Sequence, residues 1–311
     1  MPSPASEPAW PRVVLLVGPT AAGKTAAALE LGRRLPLEIV SADSRYLYRG
    51  MDIGTAKPTP AERALVPHHL IDVTTPDRPW SLAQYQSAAL VAIDTILVRG
   101  RLPLLVGGTG QYIRALVEGW QPPPGDPSGK VRAELEAQLA QSGPEPLVQR
   151  LREIDPASAA VVDLRNPRRV LRALEVALLT GESFVTQRRK SPPPYAFAWL
   201  GLSAPRPDLY ARIDLRIDVM LAAGLVAEVQ ALVAQGYGWD LPAMSALGYR
   251  QIGAYLRGEC ALDEAVARLR RDTRTFVRRQ ANWFRANDPA IRWFESGPDA
   301  AQRMLEIMDL R

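Results

Sequence analysis

Near its start the chain reads Arg12-Val13-Val14-Leu15-Leu16-Val17-Gly18-Pro19-Thr20-Ala21-Ala22-Gly23-Lys24-Thr25. The short apolar run that stops at glycine predicts a buried strand, and the spacing from Lys24 to Leu35 predicts a helix. The loop between them fits G-x-x-x-x-G-K-[ST] at every fixed position, in the strand-to-helix context that this pattern requires. We therefore predict a polyphosphate-binding loop of the kind found in ATP-binding and other nucleotide-binding proteins.

The residue types in this loop suit a phosphate group. Glycines let backbone N–H groups turn toward phosphate oxygens, and the helix N-terminus adds partial positive charge. Lys24 would supply a charge to the terminal phosphate, and the Thr25 hydroxyl would ligate Mg²⁺. We therefore expect Mg²⁺ as the cofactor, with Thr25 as its protein ligand.

The strand-and-helix pattern repeats further along the chain. Leu37–Ser41 and Leu102–Val106 are predicted strands, and residues 81–98 form a predicted helix with Ser81 as its N-cap. Short apolar strands that alternate with helices indicate a parallel sheet with helices on both faces. In such sheets ligands bind beyond the carboxyl ends of the strands.

Two of the predicted strands are followed by residues that could bind a ligand or take part in catalysis. Gly107-Gly108-Thr109-Gly110 follows one of them, where a nucleotide hydrolase usually has a metal-binding Asp. This run would expose backbone donors and a hydroxyl, or it could be a simple tight turn. Asp43 follows the other strand and could hold a metal or act as a general base. The alternative is that Asp43 and Ser44 only cap the next segment.

Composition excludes several classes of protein. The 311 residues are 47% hydrophobic and 23% charged, which is typical of a folded globular chain. The longest apolar runs are far shorter than a membrane helix needs, and residues 1–8 form a tail without the features of a signal peptide. We expect a cytoplasmic protein that does not contact membranes. The single cysteine, Cys260, excludes an internal disulfide.

The net charge of +5 is concentrated in one segment. Between Ala246 and Phe294 there are ten arginines and five acidic residues, and the rest of the chain is balanced. Arginine's planar fork suits phosphate, so the segment indicates a nucleic-acid partner. Arginine-rich usage on a solvated helix explains the charge equally well.

Proline clusters divide the chain into three parts. Triplets at 122–124 and 192–194 enclose eleven of the 28 prolines and resemble hinges. Between them lie three stretches with helical spacing and no clear strand pattern. We predict a first core segment at 1–121, a helical insertion at 122–196 and a last core segment at 197–311. The last segment begins with a strand at 197–202, a long helix at 208–235 and further helices.

Several motifs together resemble the tRNA dimethylallyltransferase family, also called tRNA isopentenyltransferases. Besides the phosphate loop they are Ser41-Ala42-Asp43-Ser44-Arg45, Tyr48 to Pro58, Pro67-His68-His69-Leu70-Ile71-Asp72, Leu105 to Gly110, Arg168 to Glu175, Ala246 to Gln251 and Arg278 to Arg285. The resemblance covers the chain from about Val13 to Phe294, and the run from Gly50 to Pro58 is its most specific part. It implies an α/β fold with a P-loop kinase-like parallel sheet, a helical insertion and C-terminal helices.

The resemblance implies transfer of a dimethylallyl group from dimethylallyl diphosphate to N6 of the adenosine on the 3′ side of the anticodon in tRNA. It makes Asp43 the base that accepts the amine's proton, and places Thr109 near the reacting groups. Residues 18–25 (Gly18, Pro19, Thr20, Ala21, Ala22, Gly23, Lys24 and Thr25) would bind the diphosphate. Arg216 matches a family arginine near it, and shares a helix face with Arg212. The alternative for Arg216 is a surface pair with Asp208, Asp214 or Asp218.

The family's tRNA-contacting positions fall into four groups in this chain. They are Asp43, Ser44, Arg45 and Tyr46; Arg168, Arg169, Val170, Leu171 and Arg172; Ser245, Ala246, Leu247, Gly248, Tyr249 and Arg250; and Arg278, Arg279, Gln280, Trp283 and Arg285. Trp283 and the neighbouring Phe284 have the helical spacing of core residues rather than of stacking platforms. The insertion would close on the anticodon stem-loop. Tyr46, Ser245 and Leu247 depart from the usual family pattern.

Other functions share some of these features. A small-molecule kinase would have the same fold and loop but no need for the basic segment or the insertion. An adenylate prenyltransferase would act on free nucleotide, and a non-enzymatic RNA-binding protein would only sense nucleotide. We favour the tRNA enzyme, and expect a monomer.

Overall fold

The computed structural model describes residues 12–123, 125–126, 128–187 and 189–308. The predicted tail at residues 1–8 and the third proline of the first triplet lie outside these ranges. The strands are β1 (Arg12–Val17), β2 (Leu37–Ser41), β3 (His68–His69), β4 (Leu102–Gly107), β5 (Trp120–Gln121), β6 (Arg189–Lys190), β7 (Ala196–Ser203) and β8 (Ile291–Glu295).

Thirteen α-helices and one 3₁₀ helix occur in the described part of the chain. They are α1 (Lys24–Arg34), α2 (Pro60–Leu65), α3 (Leu82–Val98), α4 (Gly110–Glu118), α5 (Lys130–Ser142), α6 (Glu145–Ile154), α7 (Pro156–Val161), α8 (Pro167–Thr180), α9 (Arg206–Ala222), α10 (Leu225–Ala234), α11 (Tyr249–Leu256), α12 (Leu262–Gln280) and α13 (Ala300–Met308), with the 3₁₀ turn at Ala243–Ser245. The predicted cap of α3 is confirmed, because the Ser81 hydroxyl accepts from the Gln84 N–H.

Six of the strands form one parallel sheet in the order β3-β2-β4-β1-β7-β8. Because side chains alternate along a strand, β1 contributes to both faces. Val14 and Leu16 enter a core that also contains Leu31 of α1 and Val229 of α10. Leu15 enters a second core on the opposite face, with residues of α3 and α4. The predicted parallel sheet with helices on both faces is therefore confirmed.

Residues 118–193 form a compact unit of their own, which divides the rest of the chain into two stretches. Four helices, α5 to α8, surround a core that includes Leu135, Leu151 and Leu174. A short antiparallel ribbon of β5 and β6 joins the ends of this unit. The unit begins four residues before the predicted insertion and ends three residues before its predicted end.

Several elements differ from the sequence prediction. The predicted helix at 208–235 is two helices, α9 and α10, with a 57° bend between them. The break falls at Gly224, whose φ of +100° is a left-handed conformation that ends a helix. The ribbon β5–β6 and the strand β8 are absent from the prediction, because two-residue strands have no periodicity and β8 follows a turn-rich segment.

No single helix in the described part of the chain is long and apolar enough to cross a membrane. The bent pair α9–α10 meets the requirements for a membrane span by length and composition alone. Its apolar residues Leu209, Ile213 and Val229 lie in the core beside the sheet.

A carboxylate on α10 holds the loop at 50–58. Glu228 Oε2 accepts the backbone N–H groups of Asp52 at 3.0 Å and Ile53 at 2.7 Å, and Oε1 accepts that of Gly54 at 3.0 Å. The Tyr249 hydroxyl also donates to Oε1, at 2.5 Å. Ionised carboxylates accept strongly from several donors at once, so this contact anchors the loop to α10 and α11.

Glu228→Gln is expected to destabilise the fold by about 1–3 kcal/mol, because an amide replaces one acceptor with a donor that faces backbone N–H groups. Denaturant unfolding monitored by circular dichroism measures the difference. The matched control is Glu264→Gln, which changes an exposed glutamate on α12 that pairs only with Arg268. Equal midpoints for the two variants would contradict the anchoring role of Glu228.

Candidate active site

Three loops meet at one edge of the sheet. Gly18 follows β1, Ala42 and Asp43 follow β2, and Gly108 and Thr109 follow β4. These strands are parallel neighbours in the order β2-β4-β1, so their carboxyl ends lie side by side. This edge is where open parallel sheets bind ligands.

The loop at 18–25 turns tightly onto the first strands. Gly18 has φ of +145°, and a Cβ there would lie 2.2 Å from the carbonyl oxygen of Leu202, so only glycine fits. Ala21 has φ of +68°, a conformation that costs a residue with a side chain on the order of 1 kcal/mol. Such local strain is common at ligand-binding loops. Helix α1 begins at Lys24 without a side-chain cap, which leaves its first N–H groups available to an anion.

Lys24 lies over this loop. Its ammonium donates to the carbonyl oxygens of Gly18 at 3.0 Å and Pro19 at 2.8 Å. Burial lowers the pKa of Lys24 to about 8, the negative charge of Asp43 opposes this, and the positive charge of Arg216 adds to it. The phosphate loop, Asp43 and Arg216 are therefore close enough to interact electrostatically.

Asp43 occupies the turn after β2. Its Oδ1 accepts the backbone N–H of Arg45 at 2.9 Å, so the carboxylate does stabilise the local turn. Burial nevertheless raises the pKa of Asp43, and the Arg45 N–H and the Lys24 charge offset part of that rise. A desolvated carboxylate with a raised pKa is a better proton acceptor than one in water. The turn bond and a role as base are therefore compatible.

Thr109 is bonded to both neighbours of Asp43. Its backbone N–H donates to the Ala42 carbonyl at 3.2 Å, and its hydroxyl oxygen accepts the Ser44 N–H at 3.2 Å. The loop after β4 thereby fixes the loop after β2. Thr109 and Asp43, both predicted catalytic residues, therefore lie on adjoining loops although they are 66 positions apart in the sequence.

Arg216 on α9 is half-buried and forms no ion pair with the acids of its own helix in the described chain. Asp214 pairs with Arg274 and Asp218 pairs with Arg270 instead. The positive charge of Arg216 adds to the lowering of the pKa of Lys24 and opposes the rise in the pKa of Tyr46, so Arg216 lies within electrostatic range of the loop at 18–25. The surface-pair alternative is therefore wrong. Arg212, one turn earlier, donates to Ser296 at 2.6 Å.

Two of the four predicted tRNA-contacting groups meet in space. The Arg45 guanidinium donates to the Pro242 carbonyl at 2.9 Å and lies 3.5 Å from the Ser245 hydroxyl. Tyr46 donates to the Ala56 carbonyl at 2.8 Å, and burial raises its pKa. The turn at 43–46 and the 3₁₀ turn at 243–245 thus border one side of the site.

Some of the predicted tRNA contacts have buried side chains. Val170 and Leu171 lie in the core of the insertion, and Ala246, Tyr249 and Gln280 are buried in the main unit. One face of an amphipathic helix packs into the core and the other faces solvent. These side chains lie on the core face, so they cannot touch a macromolecule on the surface. Phe284 is a core residue as predicted, whereas Trp283 is 37% exposed.

The arginines of the basic segment divide into two sets. The paired set, held in ion pairs with nearby acids, is Arg250, Arg257, Arg268, Arg270, Arg271 and Arg274. The exposed set is Arg278 and Arg279 at the end of α12, Arg285 just after it and Arg292 on β8, and none of these forms an ion pair within the described ranges. Two further exposed arginines, Arg168 and Arg169, begin α8, while Arg172 pairs with Glu175. The free positive charge is therefore much more localised than the sequence count indicates.

Gln280 has a role that the sequence did not indicate. Its amide joins the phosphate loop to the loop after β4, through the Thr20 N–H and the Gly108 carbonyl. A usable signal existed, because Gln280 is a polar residue on the same helix face as the buried Leu269 and Val277.

No group of three or more histidine, cysteine or acidic side chains in the described ranges could by itself hold a metal ion. Thr25 lines a narrow pocket beside the loop at 18–25, together with Ser41 and Tyr46. Mg²⁺ often takes one or two protein oxygens and completes its shell with water and substrate phosphates. The residues present fit that kind of site.

Comparison with known proteins identifies relatives over most of the chain. The sequence model described as IPP transferase matches residues 46–287. A tRNA dimethylallyltransferase of Roseiflexus sp. (strain RS-1) is 56% identical over 273 residues, which is 88% of this chain and 90% of that protein. The full-length tRNA isopentenylpyrophosphate transferase of Bacillus halodurans has a similar crystal structure, with a TM-score of 0.70 and 40% identity over 96% of this chain and 94% of that one.

A eukaryotic dimethylallyltransferase acting on tRNA has the same fold, with a TM-score of 0.80 over 96% of this chain and 79% of that one, at 23% identity. The sequence resemblance noted from the motifs is therefore confirmed by relatives of similar length and by solved structures. By sequence and by fold, the chain belongs to the IPP transferase family.

Proposed function

We propose that this protein transfers the dimethylallyl group of dimethylallyl diphosphate to the exocyclic N6 amine of the adenosine 3′-adjacent to the anticodon in tRNA, and releases diphosphate. The observation that carries the proposal is the position of Asp43. A desolvated carboxylate stands beside a cationic phosphate loop, so one site contains a proton acceptor and a binding place for a leaving diphosphate.

The diphosphate is held by the loop at 18–25. The first N–H groups of α1 point toward the anion, and Lys24 exchanges its bonds to the Gly18 and Pro19 carbonyls for phosphate oxygens. Arg216 adds a second positive charge from α9. As the allylic carbon–oxygen bond breaks, negative charge grows on the diphosphate, and these groups stabilise it where it forms.

The adenine amine is a weak nucleophile and loses a proton when its nitrogen bonds to carbon. Asp43 accepts that proton, and Thr109 holds the Asp43 turn through its bonds to Ala42 and Ser44. Thr25 would hold Mg²⁺, which supplies further neutralisation of the diphosphate charge when it is bound. The adenine must leave its stack to reach this edge of the sheet.

The tRNA is bound by localised positive charge. Arg278, Arg279 and Arg285 at the end of α12 carry exposed guanidinium groups, which suit the phosphates of an RNA backbone. The insertion presents Arg168 and Arg169 at the start of α8. We propose that both sets contact the anticodon stem-loop and that the protein acts as a cytoplasmic monomer.

A transfer assay tests the function directly. Purified protein with Mg²⁺ and radiolabelled dimethylallyl diphosphate is expected to label unmodified tRNA that has adenosine beside the anticodon, but not AMP. Label in AMP alone would favour an enzyme of free nucleotides. No transfer to either acceptor, together with ATP turnover on a small acceptor, would favour a kinase.

Asp43→Asn is expected to lower the transfer rate by about 10²- to 10⁴-fold while tRNA affinity stays unchanged, because it removes a proton acceptor and keeps the side-chain shape. The wild-type rate should fall as pH falls through the raised pKa of Asp43, since only the carboxylate accepts a proton. Single-turnover rates across pH measure both effects. Asp299→Asn, at an exposed position, is the control, and an Asp43→Asn rate equal to the control's would remove Asp43 from the mechanism.

Arg279→Ala is expected to weaken tRNA binding and to reduce the slope of log affinity against log salt by about 1, because one phosphate contact is lost. Filter binding at several salt concentrations measures the slope. Arg270→Ala is the matched control, since Arg270 on the same helix is paired with Asp218. Equal slopes for the wild type and Arg279→Ala would reassign this arginine to a solvated surface.

A further inference from the structure

One buried amide connects the two loops that line the candidate site. Gln280 is the last residue of α12, and its side chain is only 5% exposed. Its Oε1 accepts the backbone N–H of Thr20 in the phosphate loop at 2.8 Å, and its Nε2 donates to the carbonyl of Gly108 at 3.1 Å. The amide therefore joins the loop after β1 to the loop after β4.

The chemistry of this position requires a side chain with both an acceptor and a donor, which an amide has at any pH. Thr20 offers a donor and Gly108 offers an acceptor, so the bridging group must be an acceptor at one end and a donor at the other. A carboxylate would turn an acceptor toward the Gly108 carbonyl. The thioether of methionine would form a good hydrogen bond with neither Thr20 nor Gly108. Gly108 also leaves room for the amide, because a Cβ there would lie 2.3 Å from Nε2. The glutamine and the glycine thus fit each other.

The contact constrains the backbone conformation of the loop at 18–25. The Thr20 N–H is directed toward Gln280 and away from the anion, which fixes the chain direction just before Ala21 with its left-handed φ of +68°. A loop held in its binding conformation does not lose entropy again when the ligand binds. Without the bridge, the strained turn at Ala21 would relax more easily.

We propose that Gln280 is a positioning residue for the diphosphate, which acts by holding the 18–25 loop in its binding conformation, and that it does not contact tRNA. The proposal rests on the proposed function for the identity of the substrate. It differs from the expectation that the resemblance placed on Gln280, because the side chain is buried while its neighbours Arg278 and Arg279 are exposed.

The test compares Gln280→Met and Gln280→Glu with the control Gln302→Met, which changes an exposed glutamine on α13 that accepts from Arg34. Calorimetry measures the binding of inorganic pyrophosphate with Mg²⁺, and filter binding measures tRNA affinity. Both Gln280 variants should bind pyrophosphate about tenfold more weakly than the wild type and should bind tRNA equally well. The KM for dimethylallyl diphosphate should rise by the same factor, while the KM for tRNA should not change.

A second readout separates positioning from a general loss of structure. A protonated glutamic acid has both a donor and an acceptor, so it can imitate the amide. The pyrophosphate affinity of Gln280→Glu, divided by that of the wild type at the same pH, should therefore recover as pH falls through the pKa of the new carboxyl. Gln280→Met should show no such recovery.

Gly108→Ala offers the same perturbation from the other side, because its methyl group displaces the amide, and it should also weaken pyrophosphate binding. The proposal is overturned if the Gln280 variants lose tRNA affinity and keep pyrophosphate affinity, or if the affinity ratio of Gln280→Glu is independent of pH. If the wild type transfers no dimethylallyl group, the proposed function fails, but the pyrophosphate measurements still decide the role of Gln280.

Discussion

The parallel pairing of β1, β4 and β2 is the constraint on which the site depends. Because these strands run side by side in the same direction, the loops that follow them must emerge at one edge of the sheet. The phosphate loop, the Asp43 turn and the Thr109 turn come from three distant parts of the chain. Each loop is then bonded to its neighbour, through Thr109 in one case and Gln280 in the other.

Electrostatics at this edge favours a ligand that is itself charged. Lys24 and Asp43 are both partly buried, and burial lowers the pKa of the lysine and raises that of the aspartate, which favours the neutral form of each. Their opposite charges compensate for part of that cost. A diphosphate would favour the charged lysine further. A site that is costly to maintain without its ligand is typical of function rather than of stability.

Positive charge on this protein has two separate uses. Arg270 and Arg274 of α12 pair with Asp218 and Asp214 of α9, which ties the two helices together beside the sheet. At the end of α12, Arg278 and Arg279 are exposed and have no acidic partner among the residues that the structure describes. Net charge therefore overstates the surface available to nucleic acid, and only the pattern of pairing shows where such a partner could bind.

Apolar periodicity and fixed motif spacing are local properties, so the strands β1, β2, β4 and β7 and the family could be predicted from the sequence, together with the candidate loop at 18–25. The sequence also indicated Asp43 and Thr109, which stand where strands end. The break at Gly224, the strand β8, the lack of an ion pair at Arg216 within the described ranges and the burial of Gln280 emerge only from the folded chain. Each of these depends on how segments that are distant in sequence pack together, and local sequence patterns do not reveal such contacts.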